Sequence, residues 1–281
     1  MKLVTAGSEQ QAQNTKSRGF KTAALLSTLA LSVALTACGG QSEAEKAEGA
    51  EGNANSEAQT LTIATEGAYA PFNYTDSDGN LGGFDVDISN ALCEQMQATC
   101  EIVSQDWEGI IPGLKAKKYD AIVAAMSVTP ERAQQVDFTD PYFTNSLVFI
   151  ATKDSDFDPT QEQMINGRKI AAQRSTISSQ WLETTYPQAD IQMYDTLNNA
   201  FLDLESGRVE AMISDKLPAI DWLSSNKDEF TIKGDDIEID DNFAIAVRKE
   251  DPLKQQLNEA LTAIKADGTY DAIKEKHFPA P

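Results

Sequence analysis

Residues 107–126, WEGIIPGLKAKKYDAIVAAM, and residues 197–216, LNNAFLDLESGRVEAMISDK, align without a gap. Apolar positions coincide at Trp107/Leu197, Ile110/Ala200, Ile111/Phe201 and Leu114/Leu204, the spacing of one helix face. Tyr119-Asp120-Ala121-Ile122-Val123 then matches Val209-Glu210-Ala211-Met212-Ile213, a short apolar run suited to a buried strand. Each copy reads as a helix feeding a strand, one in each half of the chain. Any two helix–strand units share some of this pattern, so a chance likeness competes with a true internal repeat. A repeat predicts two similar α/β lobes, each presenting strand C-terminal ends, where open α/β sheets bind ligands. In this register Ala125 and Asp215 hold equivalent places at strand tips.

The rest of the chain from Thr60 fits the same architecture. LTIAT, CEIVS, YDAIVAA, LVFIAT, RKIAAQ, DIQMY, VEAMIS and FAIAVR read as strands, alternating with helices at 85–97, 107–117, 175–186, 197–206, 216–225 and 253–266. Leu253, Leu257, Leu261 and Ile264 fall on one stripe of the last of these, and Gly268 reads as its stop before a final short helix. The fold class expected is α/β, with lobe one at 61–146 plus 242–281 and lobe two at 147–241, joined by two crossing strands.

Residues 1–60 read differently. After Lys16, Arg18 and Lys21, the run AALLSTLALSVALTAC (23–38) is apolar, too short to span a bilayer and ends in small residues, the layout of a secretory signal. The polar stretch before Lys16 is long for such a leader, which places the start of translation in question. The segment 41–59, QSEAEKAEGAEGNANSEAQ, has few apolar residues and no aromatics, so 38–60 is expected to be a flexible acidic tether. LTACG (35–39) resembles the lipobox of bacterial lipoproteins. The resemblance implies a leader at 1–37, lipidation of Cys38 and a domain held near a membrane that it does not enter. An ordinary leader with an incidental cysteine is the alternative.

The 281 residues carry 23 basic and 44 acidic side chains, a net charge of −21, which makes nucleic acid an unsuitable partner. With Cys38 set aside, Cys93 and Cys100 remain, and export would favour their oxidation to a bridge between a helix end and the following strand. Two unpaired cysteines are the alternative. Neither metal nor cofactor is expected; the single histidine, His277, stands near the far end.

Binding chemistry gathers at strand tips. In AAMSVTPER (124–132), Thr129 and Pro130 mark a helix start, which offers free N–H groups and a positive dipole end. Ser127 adds a hydroxyl and Arg132 a planar fork suited to a carboxylate. A solvated arginine beside an ordinary cap is the competing reading. Arg174-Ser175-Thr176-Ile177 follows the strand KIAAQ and offers a second helix start. Asp215 suits an ammonium, or alternatively caps the helix that follows. Glu66 and Tyr69 stand in the loop after the first strand and Trp107 leads its helix, positions equally consistent with packing.

From about Thr60 to Phe278 the chain resembles the family 3 extracellular solute-binding proteins, the amino-acid receptors of ABC importers. The matching pieces are IATEGAYAPFNY, GGFDVDISNALCEQMQATC, WEGIIPGLKAKKYDAIVAAMSVTPER, VDFTDPYF and AIKADGTYDAIKEKHF. The resemblance implies a type II periplasmic-binding-protein fold, two α/β lobes on a two-strand hinge, acting as a monomer in the periplasm or at the outer cell surface and delivering to an ABC permease. The Cys93/Cys100 spacing matches the disulfide of the lysine/arginine/ornithine/histidine branch, and the phrase around Trp107 and Ala125 also resembles the opine-binding branch. Carried over, Ser127, Arg132 and the Thr176 backbone would hold the ligand carboxylate, and Asp215 and the Ala125 carbonyl its ammonium. Tyr69 and Trp107 would sandwich the side chain, where a desolvated guanidinium gains about 1–2 kcal/mol from cation–π attraction. Glu66 would meet its distal positive charge. Glu66 stands where that branch often has Asp or Ser, which implies a ligand of different length, and Ile177 stands where it often has a polar residue, which removes one possible hydrogen bond. Some relatives of the fold are dehydratases, so Glu66 and Glu108 as acid and base are the enzymatic alternative; a sensory module is another.

Overall fold

In the computed structural model, which describes residues 59–279, the two aligned segments begin their elements at matching positions. The helix Trp107–Lys115 leads to the strand Ala121–Ile122, and the helix Leu197–Glu205 leads to the strand Ala211–Asp215. The expected leader, Cys38 and all but the end of the tether lie outside the described residues; Thr60 already belongs to the first strand, Thr60–Thr65.

Each segment serves a five-stranded sheet. The first runs Thr99–Ser104, Thr60–Thr65, Ala121–Ile122, Ala246–Val247, Asp137–Phe138; the second runs Asp190–Tyr194, Lys169–Gln173, Ala211–Asp215, Phe143–Thr152, Phe230–Phe243. Both start with three parallel strands in the order second, first, third, and continue with antiparallel ones. The plan is the same twice.

Helices cover both faces of each sheet, which is why the strands read as nearly continuous apolar runs. In the first sheet Leu61, Ile63 and Val123 pack in one cluster with Ile88, Leu257 and Leu261, while Ala64, Ile122 and Met126 pack in another with Ile110 and Leu114. In the second, Val148, Ile150 and Met212 share a cluster with Phe201 and Leu204; Phe149, Ile170 and Ile213 share one with Leu182. Leu204 is buried, so its truncation to alanine is expected to cost about 2–5 kcal/mol. The disulfide Cys93–Cys100 ties the helix Phe84–Gln95 to the strand Thr99–Ser104, with Cα atoms 6.0 Å apart.

Three differences from the sequence reading have local causes. YDAIVAA contributes only Ala121–Ile122 to the sheet, because Ala125 takes a left-handed turn (φ 44). FAIAVR contributes Ala246–Val247, while Phe243 closes a 14-residue strand, Phe230–Phe243, whose alternation is hidden by Gly234 and an acidic run. A small sheet of Ala68–Tyr69, Asn73–Thr75 and Leu81–Gly82 consists of strands too short for periodicity to reveal.

The strands Phe143–Thr152 and Phe230–Phe243 are the crossing pair. Their far ends belong to the second sheet, and their near ends enter an aromatic cluster in which Phe143, Phe243 and Phe84 surround Phe72. The cleft lies beside this crossing.

Candidate functional site

Thr129 caps the short helix Pro130–Ala133 by accepting from the Arg132 N–H at 3.2 Å, as a Thr-Pro start should. That cap fixes the first turn and turns Arg132 inward. Its Nη1 donates to the Ser127 carbonyl at 2.8 Å and its Nη2 to the Ser175 carbonyl at 2.9 Å, and its guanidinium lies 5.1 Å from the centre of the Trp107 ring. Trp107 Nε1 donates to the same Ser175 oxygen at 3.2 Å. Ser175 is itself left-handed (φ 60), a conformation that costs a non-glycine residue about 1–2 kcal/mol, and its carbonyl accepts from both Arg132 and Trp107. Thr176 caps the helix Ile177–Thr185 reciprocally with Ser179.

Asp215 stands first before the helix Lys216–Asn226 but makes no capping bond. Its carboxylate instead accepts from Tyr69 Oη at 2.5 Å and from Asn145 Nδ2 at 2.8 Å. The cap alternative therefore fails for this residue. Glu66 accepts from Gln173 Nε2 at 2.8 Å, and the same nitrogen donates to the Asp195 carbonyl at 3.3 Å. These two acceptors fix the orientation of the Gln173 amide and leave its Oε1 buried without a donor. The Ala125 N–H donates to Tyr142 Oη, which donates in turn to the buried Asp85.

All eight residues singled out for ligand contact, Glu66, Tyr69, Trp107, Ala125, Ser127, Arg132, Thr176 and Asp215, line one cleft with about 280 Å³ of empty space. Gln173, Ala124 and Ile177 complete its wall. The sequence reading missed Gln173, although a polar residue ending the apolar strand KIAAQ was a usable signal. It also missed Asn145 and Asp241, which lie on the crossing strands without any motif.

The electrostatics follow from burial. Arg132, Glu66 and Asp215 are 6%, 7% and 5% exposed. Desolvation pushes the Glu66 carboxyl up to about 7 against the Gln173 hydrogen bond, which pulls it down. Asp215 is also pushed up to about 7, first by desolvation and then by the nearby charge of Asp241, while Tyr69, Asn145 and Arg132 oppose the rise. Asp241 is raised by burial as well. Desolvation lowers Arg132 to about 10. The cleft wall thus carries one cation, Arg132, and two acids, Glu66 and Asp215, with Asp241 close behind.

Residues 61–280 match the family model described as bacterial extracellular solute-binding proteins, family 3. The ABC transporter arginine-binding protein 1 of Escherichia coli (strain K12) is 36% identical over 229 residues, covering 80% of this chain and 93% of that protein. The octopine-binding periplasmic protein of Rhizobium meliloti is 39% identical over 186 residues, 58% of this chain and 63% of that one. Among solved structures, an ancestral arginine-binding protein bound to arginine superposes with a TM-score of 0.74 at 34% identity, covering 78% of this chain and 98% of that one. The twice-repeated sheet is accordingly the type II periplasmic amino-acid-binding fold, and the chain belongs to the family 3 bacterial extracellular solute-binding proteins.

Proposed function

We propose that the cleft captures an amino acid with a cationic side chain, arginine foremost with lysine and ornithine as relatives, for delivery to an ABC permease. The observation that carries this reading is the charge count: Arg132 is the one cation lining a cleft that also holds Glu66 and Asp215, with Asp241 close behind. A ligand carboxylate on Arg132 and Ser127, helped by the Thr176 backbone, and an ammonium on Asp215 and the Ala125 carbonyl, would leave Glu66 buried and without a cationic partner. A second positive charge on the ligand supplies its partner. Tyr69 and Trp107 flank the side chain in this arrangement, and the free Gln173 Oε1 offers an acceptor to a donor-rich group such as guanidinium.

Binding is the whole task in this reading. The ligand touches residues of both halves, 61–146 with 242–281 and 147–241, and so stabilises their closed arrangement, which the permease then recognises. The protein works as a monomer, exported by its leader and anchored through a lipid on Cys38, in the periplasm or at the outer cell surface. Among the described residues no helix is long and apolar enough to cross a membrane. Catalysis is the weaker alternative, because Glu108, the acid that would accompany Glu66, is exposed and 3.7 Å from Arg174.

The octopine-binding relative favours a second ligand class. An opine of that kind adds a carboxylate to the α-nitrogen, which would lie beside Asp215 with no second cation on the wall. A thermal-shift screen separates the two. Ligand at a hundred times its dissociation constant is expected to add about 2.7 kcal/mol of stability. Stabilisation by a neutral amino acid or an opine, with arginine, lysine and ornithine all inert, overturns the cationic reading.

A further inference from the structure

Asn145 and Asp241 face each other as a registered pair across the two crossing strands, between the aromatic cluster and the second sheet. Two residues beyond Asn145, Leu147 pairs with Asp215 in the second sheet. The ladder between the crossing strands is irregular on the approach to this pair, with register shifts from Lys233 to Ile237 and from Ile237 to Asp241, and Asp240 is left-handed (φ 53). The pair therefore sits where the connection leaves regular sheet geometry.

The side chains at this point are polar, buried and shared. The single amide nitrogen of Asn145 donates to Asp215 at 2.8 Å and to Asp241 at 2.9 Å, spending both of its hydrogens on carboxylates. Asn145 and Asp241 are 5% and 4% exposed. On its other side Asp241 is favoured in its charged form by the Ser127 hydroxyl and by Arg132. A polar chain thus runs from Asp215 through Asn145 to Asp241, through the strands that join the halves.

We propose that Asn145 and Asp241 are positioning residues: they aim the Asp215 carboxylate at the ligand's ammonium and tie that pole to the crossing strands. An amide is suited to the place because it separates two carboxylates with one donor to each, where a third acid would repel both. The inference rests on the amino-acid reading of the cleft.

The test compares each ligand with the same molecule lacking its α-amino group, by calorimetry on the full folded domain. The pairs are arginine with 5-guanidinopentanoate, lysine with 6-aminohexanoate, and ornithine with 5-aminopentanoate. In Asn145→Ala the amino acid is expected to weaken at least tenfold while its des-amino partner changes less than threefold, so that the affinity ratio collapses. Asp241→Ala, which leaves Asn145 in place, is expected to move the ratio the same way by a smaller factor. Asp241→Asn keeps an oxygen for the Asn145 amide and is expected to restore most of the ratio. Equal losses for amino acid and des-amino partner in both alanine variants, or unchanged affinity for both, overturn the positioning role while the ligand reading stands. A wild type that binds none of the three amino acids overturns that reading and this proposal together.

Discussion

Arg132 donates through Nη2 to the carbonyl oxygen of Ser175, 2.9 Å away across the cleft. Its other hydrogen bond also ends on a carbonyl, that of Ser127, and among the described residues it forms no ion pair. A buried guanidinium whose hydrogen bonds end only on two neutral carbonyls keeps donors to spare for a ligand carboxylate. Arg132→Ala is therefore expected to lower amino-acid affinity about a hundredfold or more. Circular dichroism should report an intact fold. Arg132→Lys should recover little, since an ammonium cannot present two parallel donors. Retained affinity in the alanine variant would remove the residue from the site.

Glu66→Gln removes a charge and keeps the shape. It is expected to weaken arginine, lysine and ornithine about tenfold or more while changing neutral amino acids little. Parallel titrations of one cationic and one neutral ligand measure the difference, and equal losses would reject Glu66 as the reader of side-chain charge.

The raised carboxyls give the protein a pH signature with two opposite arms. Glu66 and Asp215 hold their protons up to about 7 in the unliganded cleft, whereas a cationic ligand needs both ionised. Affinity should rise with pH and level off above about 7, being about tenfold weaker per coupled group at pH 6 than at pH 8. The unliganded protein should do the reverse. A carboxyl raised from 4.5 to about 7 keeps its proton in the folded state after the unfolded chain has lost it, so that contribution to stability falls as pH rises through this window. Calorimetry across pH reads the first arm and urea denaturation the second. A flat affinity profile between pH 6 and pH 8 would contradict the ionised-acid mechanism.

The bridge between Cys93 and Cys100 closes a small loop. Replacing both cysteines with serine is expected to cost about 2–3 kcal/mol of unfolding free energy, on the chain-entropy account of so short a loop. Ligand affinity should change less than threefold, because neither cysteine lines the cleft. Denaturant midpoints and a single binding isotherm check both statements.

Much of this arrangement is legible in the amino-acid sequence. The helix face of Leu197, Ala200, Phe201 and Leu204 and its counterpart from Trp107 were visible because helical periodicity survives in a single sequence. Ser127, Thr129 and Arg132 were legible because capping chemistry restricts residue types within a few positions. Asn145 and Asp241 were not, since their meaning arises from pairing across residues distant in the chain. Nor did the sequence distinguish a capping Asp215 from one free to bind; that depended on where Tyr69 and Asn145 come to rest. Gln173 fell between these cases, a polar strand ending whose partner, Glu66, lies in the other half.

Both sheets follow one strand order, yet the matching tips carry Ala125 in one and Asp215 in the other. A body built twice on a single plan offers a guest two like tips, and it could enter such a frame in either of two orientations. With only an amide backbone at one tip and an acid at the other, the degeneracy is lifted, and whatever docks there has a front and a back.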